Sequence, residues 1–438
     1  MLKTISIIGL GYIGLPTATL FASRKFRVIG VDISSYVVET INRGDIHIVE
    51  PELDMLVQAA VGAGYLRATM HAEPADAFVI AVPTPLTDEH EPDVSCIEAA
   101  AKSIAPMLRK GNLVILESTS PVGTTEKLAK WLAEMRPDLT FPEQARDEPD
   151  IRIAYCPERV LPGRIVHELV ENDRVIGGMT PSCSEAAVAL YKSFVQGECI
   201  VTEARVAEMC KLAENSFRDV NIAFANELSI ICDRQGINVW ELIRLANRHP
   251  RVNIAQPGCG VGGHCIAVDP WFIVHGAPKD AKLIRAARTV NDAKPEWVIR
   301  EIERVIAELT RAGKPIEDIR IACLGITYKA DIDDLRESPA LHITQELAKR
   351  YPGKVHVVEP NLERLPERLT DAGVVLTDFS WAVERADVLV LLVNHAQFKG
   401  SPPQLSGFQR LIDTCGGWEK KMTDKVIAST YFEPLLVD

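Results

Sequence analysis

The sequence predicts an α/β protein with two doubly wound regions joined by long helices. A strand-like run, Thr4–Ile8, leads into a glycine-rich turn at residues 9–14 and then into a helical stretch. Residues 198–235 contain neither Gly nor Pro, which favours one long helix. Apolar strand-like runs begin again after residues 313–315. These observations predict three domains, at residues 1–197, 198–312 and 313–438.

Composition limits the function classes. The 438 residues carry a net charge of −12, which argues against nucleic acid as a main partner. The ten cysteines form no Cys-x-x-Cys pair, so we expect reduced thiols in a cytoplasmic protein. The apolar run at the N-terminus is too short and too interrupted for a signal peptide or a membrane span. We therefore expect no membrane partner.

The first glycine-rich turn predicts a Rossmann dinucleotide-binding domain. In Gly9-Leu10-Gly11-Tyr12-Ile13-Gly14, the first glycine permits the tight turn, the second lets a pyrophosphate approach, and the third lets the helix pack on the strand. Tyr12 and Ile13 belong to the same turn and are predicted cofactor contacts. Asp32 ends the next apolar run, where an acid binds the ribose hydroxyls. No Arg follows Asp32, which favours NAD over NADP.

Further polar residues follow later strand-like runs. Thr84, Thr119 and Thr125 come after two of these runs, where ligands bind in open α/β sheets. They could equally cap the helices that follow. Glu158 and Arg159 could line the same cleft or form a surface ion pair.

The predicted long helix carries an apolar stripe and a polar face. Lys211, Asn215 and Arg218 lie within a narrow arc opposite the apolar stripe. This face could be solvated, or it could be covered by a loop that turns Lys211 into a buried acid or base. The length of the helix also favours a role in a subunit interface.

A second glycine-rich stretch, residues 257–265, ends in Cys265. Such a loop can hold a substrate close to the main chain while a thiol attacks its carbonyl. The alternative is a loop with an inert buried thiol. Asp269 could orient water, hold Lys211 or cap a helix. A zinc site with Cys259 and His264 is disfavoured because adjacent His and Cys make an awkward chelate, so we expect no metal.

The C-terminal region predicts a smaller α/β domain. Strands are expected at residues 320–325, 355–358, 374–376 and 388–393. The turn that begins at the end of the first strand, residues 325–329, has only one glycine, Gly325, so a mononucleotide fits this domain better than a dinucleotide. Lys329 and Arg336 lie in a charged loop that suits phosphate but could be solvated. The helical stretch before this domain, residues 280–311, contains Pro295 and is expected to form two pieces.

Together these motifs resemble the nucleotide-sugar 6-dehydrogenases, the UDP-glucose and GDP-mannose dehydrogenase family. The resemblance covers almost the whole chain. It implies an N-terminal NAD-binding Rossmann domain, a central long-helix region on which a homodimer is built, and a C-terminal Rossmann-like domain that binds a UDP-sugar. It also implies cytoplasmic enzymes that oxidise C6 of the sugar to a carboxylate for surface polysaccharides, such as enterobacterial common antigen.

The resemblance also assigns roles to single residues. Cys265 matches the nucleophile and Lys211 the acid/base lysine. Four further positions match groups that assist catalysis: Asn215, Asp269, Glu158 and Thr119. Positions that match substrate contacts are Arg159, Val160, Lys211, Asn215, Arg218, His249, Arg251, Gly262, Tyr328 and Lys329. Arg336 matches a cofactor contact. Tyr328 departs from the pattern, because many relatives have Phe there.

The sequence leaves alternatives open for the substrate and for the reaction class. Within the family, residues 157–163 and 248–253 most resemble the enzymes that act on UDP-N-acetyl-D-mannosamine, which implies this substrate. UDP-glucose and UDP-N-acetylglucosamine stay open, and His249 and Arg251 are expected to decide. A catalytically silent NAD-binding sensor is the alternative from another class. A single-step 3-hydroxy-acid dehydrogenase would share the domain plan but would have no use for the thiol.

Overall fold

The computed structural model describes residues 2–145, 148–263, 265–400 and 403–418. The chain divides into two compact units. The first unit comprises Met1–Glu214 and Trp271–Asp280, and the second comprises Asn215–Pro270 and Ala281–Asp438. The three-domain division therefore stays a prediction.

The first unit is built on an eight-stranded sheet with the order β3-β2-β1-β4-β5-β6-β7-β8. All neighbours are parallel except β6 and β7. The strands are β1 Thr4–Ile8, β2 Arg27–Val31, β3 Leu66–Thr69, β4 Ala77–Ile80, β5 Leu113–Leu116, β6 Arg152–Tyr155, β7 Arg174–Gly178 and β8 Cys199–Glu203. The central strands are short, wholly apolar runs, as expected for parallel strands covered on both faces.

Helices cover this sheet with two separate apolar clusters. They are α1 Gly14–Ser23, α2 Ser35–Asn42, α3 Leu53–Gly62, α4 Ser95–Ile104, α5 Thr124–Met135, α6 Ile165–Glu171 and α7 Pro181–Tyr191. One cluster lies beneath α1 and includes Leu15 and Phe21. The other lies beneath α4 and α5 and includes Ile97 and Leu128. This is the predicted Rossmann architecture.

The long helix α8 spans Ala204–Gln235. The sequence predicted its start near residue 198, but Cys199–Glu203 pairs with β7 as strand β8. Absence of Gly and Pro permits a helix but does not prevent β-branched residues from completing a sheet edge.

The remaining helices of the central stretch are α9 Val239–Ala246, α10 Asp269–Gly276 and α11 Lys282–Arg311. The expectation that Pro295 divides α11 is wrong, because the helix is continuous over 30 residues. Pro295 is buried, as are Asn291 and Val298 one turn to either side. Proline has no N–H to donate to the carbonyl oxygen of residue 291, so one helical hydrogen bond is missing. Packing along this buried face keeps the helix continuous.

The second unit contains a five-stranded parallel sheet with the order β11-β10-β9-β12-β13. Its strands are β9 Ile321–Leu324, β10 Val355–Val358, β11 Val375–Leu376, β12 Val388–Leu391 and β13 Arg410–Asp413. Helices α12 Pro339–Arg350, α13 Glu367–Thr370 and α14 Phe379–Arg385 accompany it. Four strands were predicted and β13 was missed, because its Arg and Asp ends interrupt the apolar run.

Candidate active site

The first glycine-rich turn has room for a ligand at one glycine and none at another. A Cβ added to Gly14 would overlap the carbonyl oxygen of Gly9, whereas a Cβ on Gly11 would meet nothing within 4 Å. The protein therefore needs Gly14 for its own packing and leaves the space beside Gly11 open. This is the division of labour expected when a pyrophosphate approaches the second glycine.

Asp32 holds this turn from the end of β2. Its carboxylate accepts the backbone N–H groups of Leu10 at 3.0 Å and Ser34 at 2.9 Å, and its side chain remains half-exposed. Among the described residues no side chain caps the N-terminus of α1, where Ile13 occupies the capping position. An uncapped helix N-terminus beside an open glycine fits a dinucleotide phosphate.

His47 is a neighbour of Asp32 that the sequence did not reveal. Burial lowers the pKa of His47, although the Asp32 carboxylate and a backbone contact with Leu10 oppose that shift. Its position beside the turn depends on the fold of residues between β2 and β3, so no local motif could have indicated it.

The three threonines have different surroundings. The Thr84 hydroxyl donates to the carbonyl of Thr119 at 2.6 Å, and both residues are half-exposed. Thr125 is fully buried, and its hydroxyl and N–H donate to Glu208. Burial raises the pKa of Glu208, although these hydrogen bonds oppose the shift. Sequence reasoning missed Glu208, although it lies three residues before Lys211 on α8.

Lys211 is buried and forms an ion pair. Its Nζ lies 3.2 Å from Oε1 of Glu158, and the two side chains are 5% and 8% exposed. The other oxygen of Glu158 accepts the backbone N–H of Val160 at 2.8 Å. The solvated alternative for this part of the helix is therefore wrong, and the pair can hold and exchange a proton away from bulk water.

Arg159 points to a different partner. Its guanidinium contacts Glu214 at 2.7 Å and donates to the carbonyl of Asp173 at 3.1 Å. The alternative of a surface ion pair between Glu158 and Arg159 is therefore wrong. The ion pairs of Glu158 with Lys211 and of Arg159 with Glu214 therefore hold this segment in place within the first unit.

A buried charged cluster around Glu117 was also not predicted from the sequence. Glu117 follows β5 and accepts hydrogen bonds from Arg174 at 3.0 Å and Tyr191 at 3.2 Å. Burial raises the pKa of Glu117, while the Arg174 charge opposes that shift. The three partners are far apart in sequence, so no spacing pattern could have found them.

In the second unit, Asp269 connects the thiol loop to α8. It is 3% exposed, accepts a hydrogen bond from Asn215 Nδ2 at 2.5 Å, and donates its backbone N–H to the carbonyl of Cys265 at 2.8 Å. The structure thus brings together Cys265, Asp269 and Asn215. The carboxylate is held in place and can orient a water molecule or a reaction intermediate.

The two cysteines of the second glycine-rich loop differ in environment. Cys259 is buried, its Sγ lies 3.6 Å from the carbonyl of Leu392, and burial raises its pKa to about 12. Cys265 is half-exposed. Of the two, only Cys265 is open to a ligand. All ten cysteines lie in the described ranges, and none is joined in a disulfide.

His264 lies outside the described residues. Across the ranges that the structure describes, no group of three or more His, Cys, Asp or Glu side chains is arranged to hold a metal ion.

The loop before Cys265 packs against the predicted substrate segment. A Cβ on Gly262 would overlap the carbonyl oxygen of Glu337, and a Cβ on Gly263 would lie 2.7 Å from the ring of Tyr328. Gly263 also has φ +86° and donates its N–H to the carbonyl of Arg336 at 3.1 Å. Glycine is therefore required here so that the two segments can touch.

Two asparagines of α8 hold the earlier part of this loop. Asn221 accepts the backbone N–H of Ala255 at 2.9 Å, and Asn226 accepts that of Gly258 at 2.9 Å. Asn226 also donates to Asn291 on α11 at 2.9 Å. These residues lie at five-residue spacing, which gives no recognisable sequence signal.

The remaining predicted substrate residues are more exposed. Arg218, His249 and Arg251 are exposed, and Tyr328 and Lys329 are half-buried. Arg336 is exposed and forms an ion pair with Asp334 at 2.6 Å. Its guanidinium is thus partly neutralised within the second unit.

Within the described ranges, no helix combines the length and apolar character needed to cross a membrane.

Three profiles of one family match the chain in order. They are described as the UDP-glucose/GDP-mannose dehydrogenase family NAD binding domain over residues 3–195, its central domain over residues 205–293, and its UDP binding domain over residues 322–416. These matches confirm the predicted fold class and NAD as the cofactor.

The matching relatives cover almost the whole chain. A UDP-N-acetyl-D-mannosamine dehydrogenase of Yersinia pestis is 63% identical over 95% of this chain and 99% of its own. An NDP-N-acetyl-D-galactosaminuronic acid dehydrogenase of Ralstonia nicotianae is 62% identical over 96% of this chain and 97% of its own. A solved structure of a UDP-D-ManNAc dehydrogenase from Pyrococcus horikoshii has 38% identity, a TM-score of 0.85, and 97% coverage of both chains.

Proposed function

Because the chain belongs to the UDP-glucose/GDP-mannose dehydrogenase family, we propose that it oxidises C6 of UDP-N-acetyl-D-mannosamine to a carboxylate with two molecules of NAD. The observation that carries this proposal is the half-exposed Cys265 beside the Asn215–Asp269 pair. The Yersinia pestis relative, whose name gives this substrate, supports the choice of sugar.

The reaction needs a proton acceptor at the alcohol. NAD, when bound, supplies the hydride acceptor for both oxidations. Lys211 and Glu158 form a buried pair that can take the C6 hydroxyl proton, directly or through water. Low exposure of the pair keeps its electrostatic interactions strong. Glu158, Lys211 and Asp269 can share the proton path.

Cys265 retains the intermediate between the two oxidations. Its sulfur adds to the C6 aldehyde, and the aldehyde oxygen takes up a proton to give a thiohemiacetal. Loss of the second hydride and of that proton leaves a thioester. Water then attacks the thioester carbon and releases the carboxylate and the thiol. Asn215 supplies an N–H donor for the oxyanions, and Asp269 orients the water.

The covalent step is tested by replacing the sulfur. Cys265→Ala is expected to abolish formation of the carboxylate, with a loss of at least about a thousandfold in turnover. Cys259→Ala is the matched control in the same loop, because the Cys259 thiol is buried and protonated. The measurement is NADH formed per UDP-N-acetyl-D-mannosamine, with mass analysis of the product. Near-parent turnover by Cys265→Ala would show that covalent catalysis is wrong.

A second substrate is favoured by the Ralstonia nicotianae relative, whose name gives an N-acetylgalactosaminuronic acid product and whose identity is 62%. The same chemistry on UDP-N-acetylgalactosamine is therefore the alternative. A panel of UDP-N-acetyl-D-mannosamine, UDP-N-acetylgalactosamine, UDP-N-acetylglucosamine and UDP-glucose, scored as kcat/KM, separates these proposals. Binding of NAD without turnover of any sugar nucleotide would favour the sensor alternative.

We further propose a homodimer built on the exposed apolar stripe of α8. Phe217, Phe224 and Ile231 recur every seven residues and are 72%, 53% and 41% exposed. Such a stripe on one helix face is suited to a second copy of the same helix. The Phe224→Glu variant is expected to be monomeric by light scattering. Unchanged dimer mass in that variant would place the interface elsewhere.

The family resemblance extends this proposal to the cell. We place the enzyme in the cytoplasm, where it would supply a uronic acid nucleotide for a surface polysaccharide of the enterobacterial common antigen type. Deleting its gene is expected to remove the acidic sugar from that polysaccharide, and expression of the Cys265→Ala variant should not restore it.

A further inference from the structure

The second sheet carries a buried Glu–His pair at its carboxyl edge. Glu359 follows β10 and is 4% exposed, and His395 follows β12 and is 0% exposed. Oε2 of Glu359 lies 3.1 Å from Nε2 of His395. Because β10, β9 and β12 are neighbours in the sheet, both residues lie beside the loop that follows β9.

This loop spans residues 325–331 and contains Tyr328 and Lys329, the pair proposed to bind the substrate. Oε2 of Glu359 accepts the backbone N–H of Ile326 at 2.8 Å. Nδ1 of His395 accepts the backbone N–H of Asp331 at 2.9 Å. The two buried side chains therefore hold the loop by hydrogen bonds on either side of Tyr328 and Lys329.

The hydrogen bonds determine the tautomer of His395. Nδ1 accepts an N–H group and so carries no proton, which places the single ring proton on Nε2. That proton is donated to Glu359. Burial by itself raises the pKa of Glu359, but the hydrogen bonds from His395 and from the N–H of Ile326 bring it below its usual range. The pair is thus joined by a hydrogen bond from Nε2 of His395 to a carboxylate oxygen of Glu359.

We propose that Glu359 and His395 are positioning residues that hold the 325–331 loop so that Tyr328 and Lys329 meet the nucleotide sugar. Neither side chain reaches solvent, so they act through the loop. The arrangement also reaches the thiol loop, because Gly263 packs on the ring of Tyr328. This inference rests on the proposed function, since it assumes that a nucleotide sugar binds at this edge of the sheet.

Two substitutions at His395 separate its hydrogen bond with Glu359 from its hydrogen bond with the N–H of Asp331. In His395→Asn, the side-chain oxygen can replace Nδ1 and accept the N–H of Asp331. In His395→Gln, the side-chain amide nitrogen can replace Nε2 and donate to Glu359, but the acceptor for Asp331 is lost. His395→Ala loses both bonds. His342→Asn is the control, because His342 is exposed on α12 in the same unit.

The first measurement is hydrogen exchange without any ligand. The amides of residues 326–331 are expected to exchange about tenfold faster or more in His395→Ala than in the parent protein. In His395→Gln the increase should centre on Asp331, and His395→Asn should restore protection there. Unchanged exchange in His395→Ala and His395→Gln would overturn the inference. If the Ala variant does not fold, the Asn and Gln variants decide.

The second measurement is steady-state kinetics. The KM for the nucleotide sugar is expected to rise about tenfold in His395→Gln, with kcat within about threefold and the KM for NAD unchanged. His395→Asn should recover most of this loss, which a merely structural role would not predict. Faster loop exchange with an unchanged sugar KM would overturn the positioning role.

The proposed function and this inference can fail separately. If the parent protein oxidises no nucleotide sugar, the proposed function is wrong, and titration of UDP into the parent and His395→Gln then decides the inference. Weaker UDP binding by His395→Gln would support the positioning role, and equal binding, or none by either protein, would refute it.

Discussion

The two parallel sheets place an acidic side chain at the same topological position and use it differently. Asp32 follows β2, the neighbour of β1, and Glu359 follows β10, the neighbour of β9. Each carboxylate accepts an N–H from the loop after the first strand, that of Leu10 at 3.0 Å or that of Ile326 at 2.8 Å. Asp32 is half-exposed, whereas Glu359 is buried against His395.

The difference teaches what the fold dictates and what it leaves open. Both sheets need the bond between the acid and the loop, because it fixes the turn at the carboxyl edge where ligands bind. Exposure then decides whether the carboxylate can also contact a ligand. Asp32 is suited to both tasks, whereas Glu359 is suited only to holding the loop.

The largest expected loss of stability comes from replacing Gly14, which packs α1 against the first turn. In Gly14→Ala, the added methyl group would overlap the carbonyl of Gly9, a backbone atom that no rotamer change can move. We expect the free energy of unfolding to fall by about 3 kcal/mol or more. Urea denaturation measures this loss. A stable Gly14→Ala protein would contradict the close packing of α1 on the turn.

The next effect separates packing from ligand space within the same turn. Gly11→Ala meets nothing within 4 Å, so its stability should stay within about 0.5 kcal/mol of the parent. Its Kd for NAD should rise about tenfold or more, because the methyl group enters the space left for the pyrophosphate. Calorimetric titration with NAD checks this. Lost stability with unchanged NAD binding would show that Gly11 serves packing.

The acids themselves give the third test of the comparison. Asp32→Asn should weaken NAD binding about tenfold with little change in the KM for the sugar, because a charged acceptor for ribose hydroxyls is lost.

Glu359→Gln should lower the free energy of unfolding by about 1–3 kcal/mol, because an amide N–H group would face other donors. Its KM for NAD should stay unchanged. If Glu359→Gln instead weakened NAD binding, the two acids would not have separate tasks.

The glycine turn of the first sheet could be predicted from local sequence, whereas the Glu359–His395 pair of the second sheet could not. Gly9, Gly11, Gly14 and Asp32 lie within 24 residues and follow a spacing set by one ligand. Glu359 and His395 are 36 residues apart and meet only when β10 and β12 flank β9. Side chains joined by tertiary packing leave no periodic signal, so neither residue was predicted.

The long helix shows the same limit. Its apolar periodicity predicted a helix correctly but did not tell which face is buried. The polar residues Lys211 and Asn226 are buried, whereas Phe217 is exposed. A prediction from hydrophobicity alone therefore assigns the wrong face of this helix to the interior. It fails because the fold or the site requires a buried polar network, such as that of Asn226.

Buried charge extends the comparison of the two units and gives a test that depends on pH. Arg174 in the first unit is paired with Glu117 at 3.0 Å. Lys294 in the second unit donates to the hydroxyl of Ser229 at 2.6 Å and lies 3.8 Å from the centroid of the Trp297 ring. Burial lowers the pKa of Lys294 to about 7, although nearby acidic groups oppose the shift. Protonated Lys294 therefore destabilises the fold.

The sign follows from proton binding. Below pH 7 both the folded and the unfolded chain bind the proton, so the penalty is fully present. Between about pH 7 and the unfolded value of about 10.5 the unfolded chain binds more protons, so this group raises the free energy of unfolding by up to about 1.4 kcal/mol per pH unit. Lys294→Met should be more stable than the parent at pH 6 and 7 and should lose more than half of this advantage by pH 9. The exposed Lys282→Met on the same helix is the control. Urea denaturation from pH 6 to pH 9 measures the difference, and a pH-independent difference between parent and Lys294→Met would show that the ammonium is not destabilised by burial.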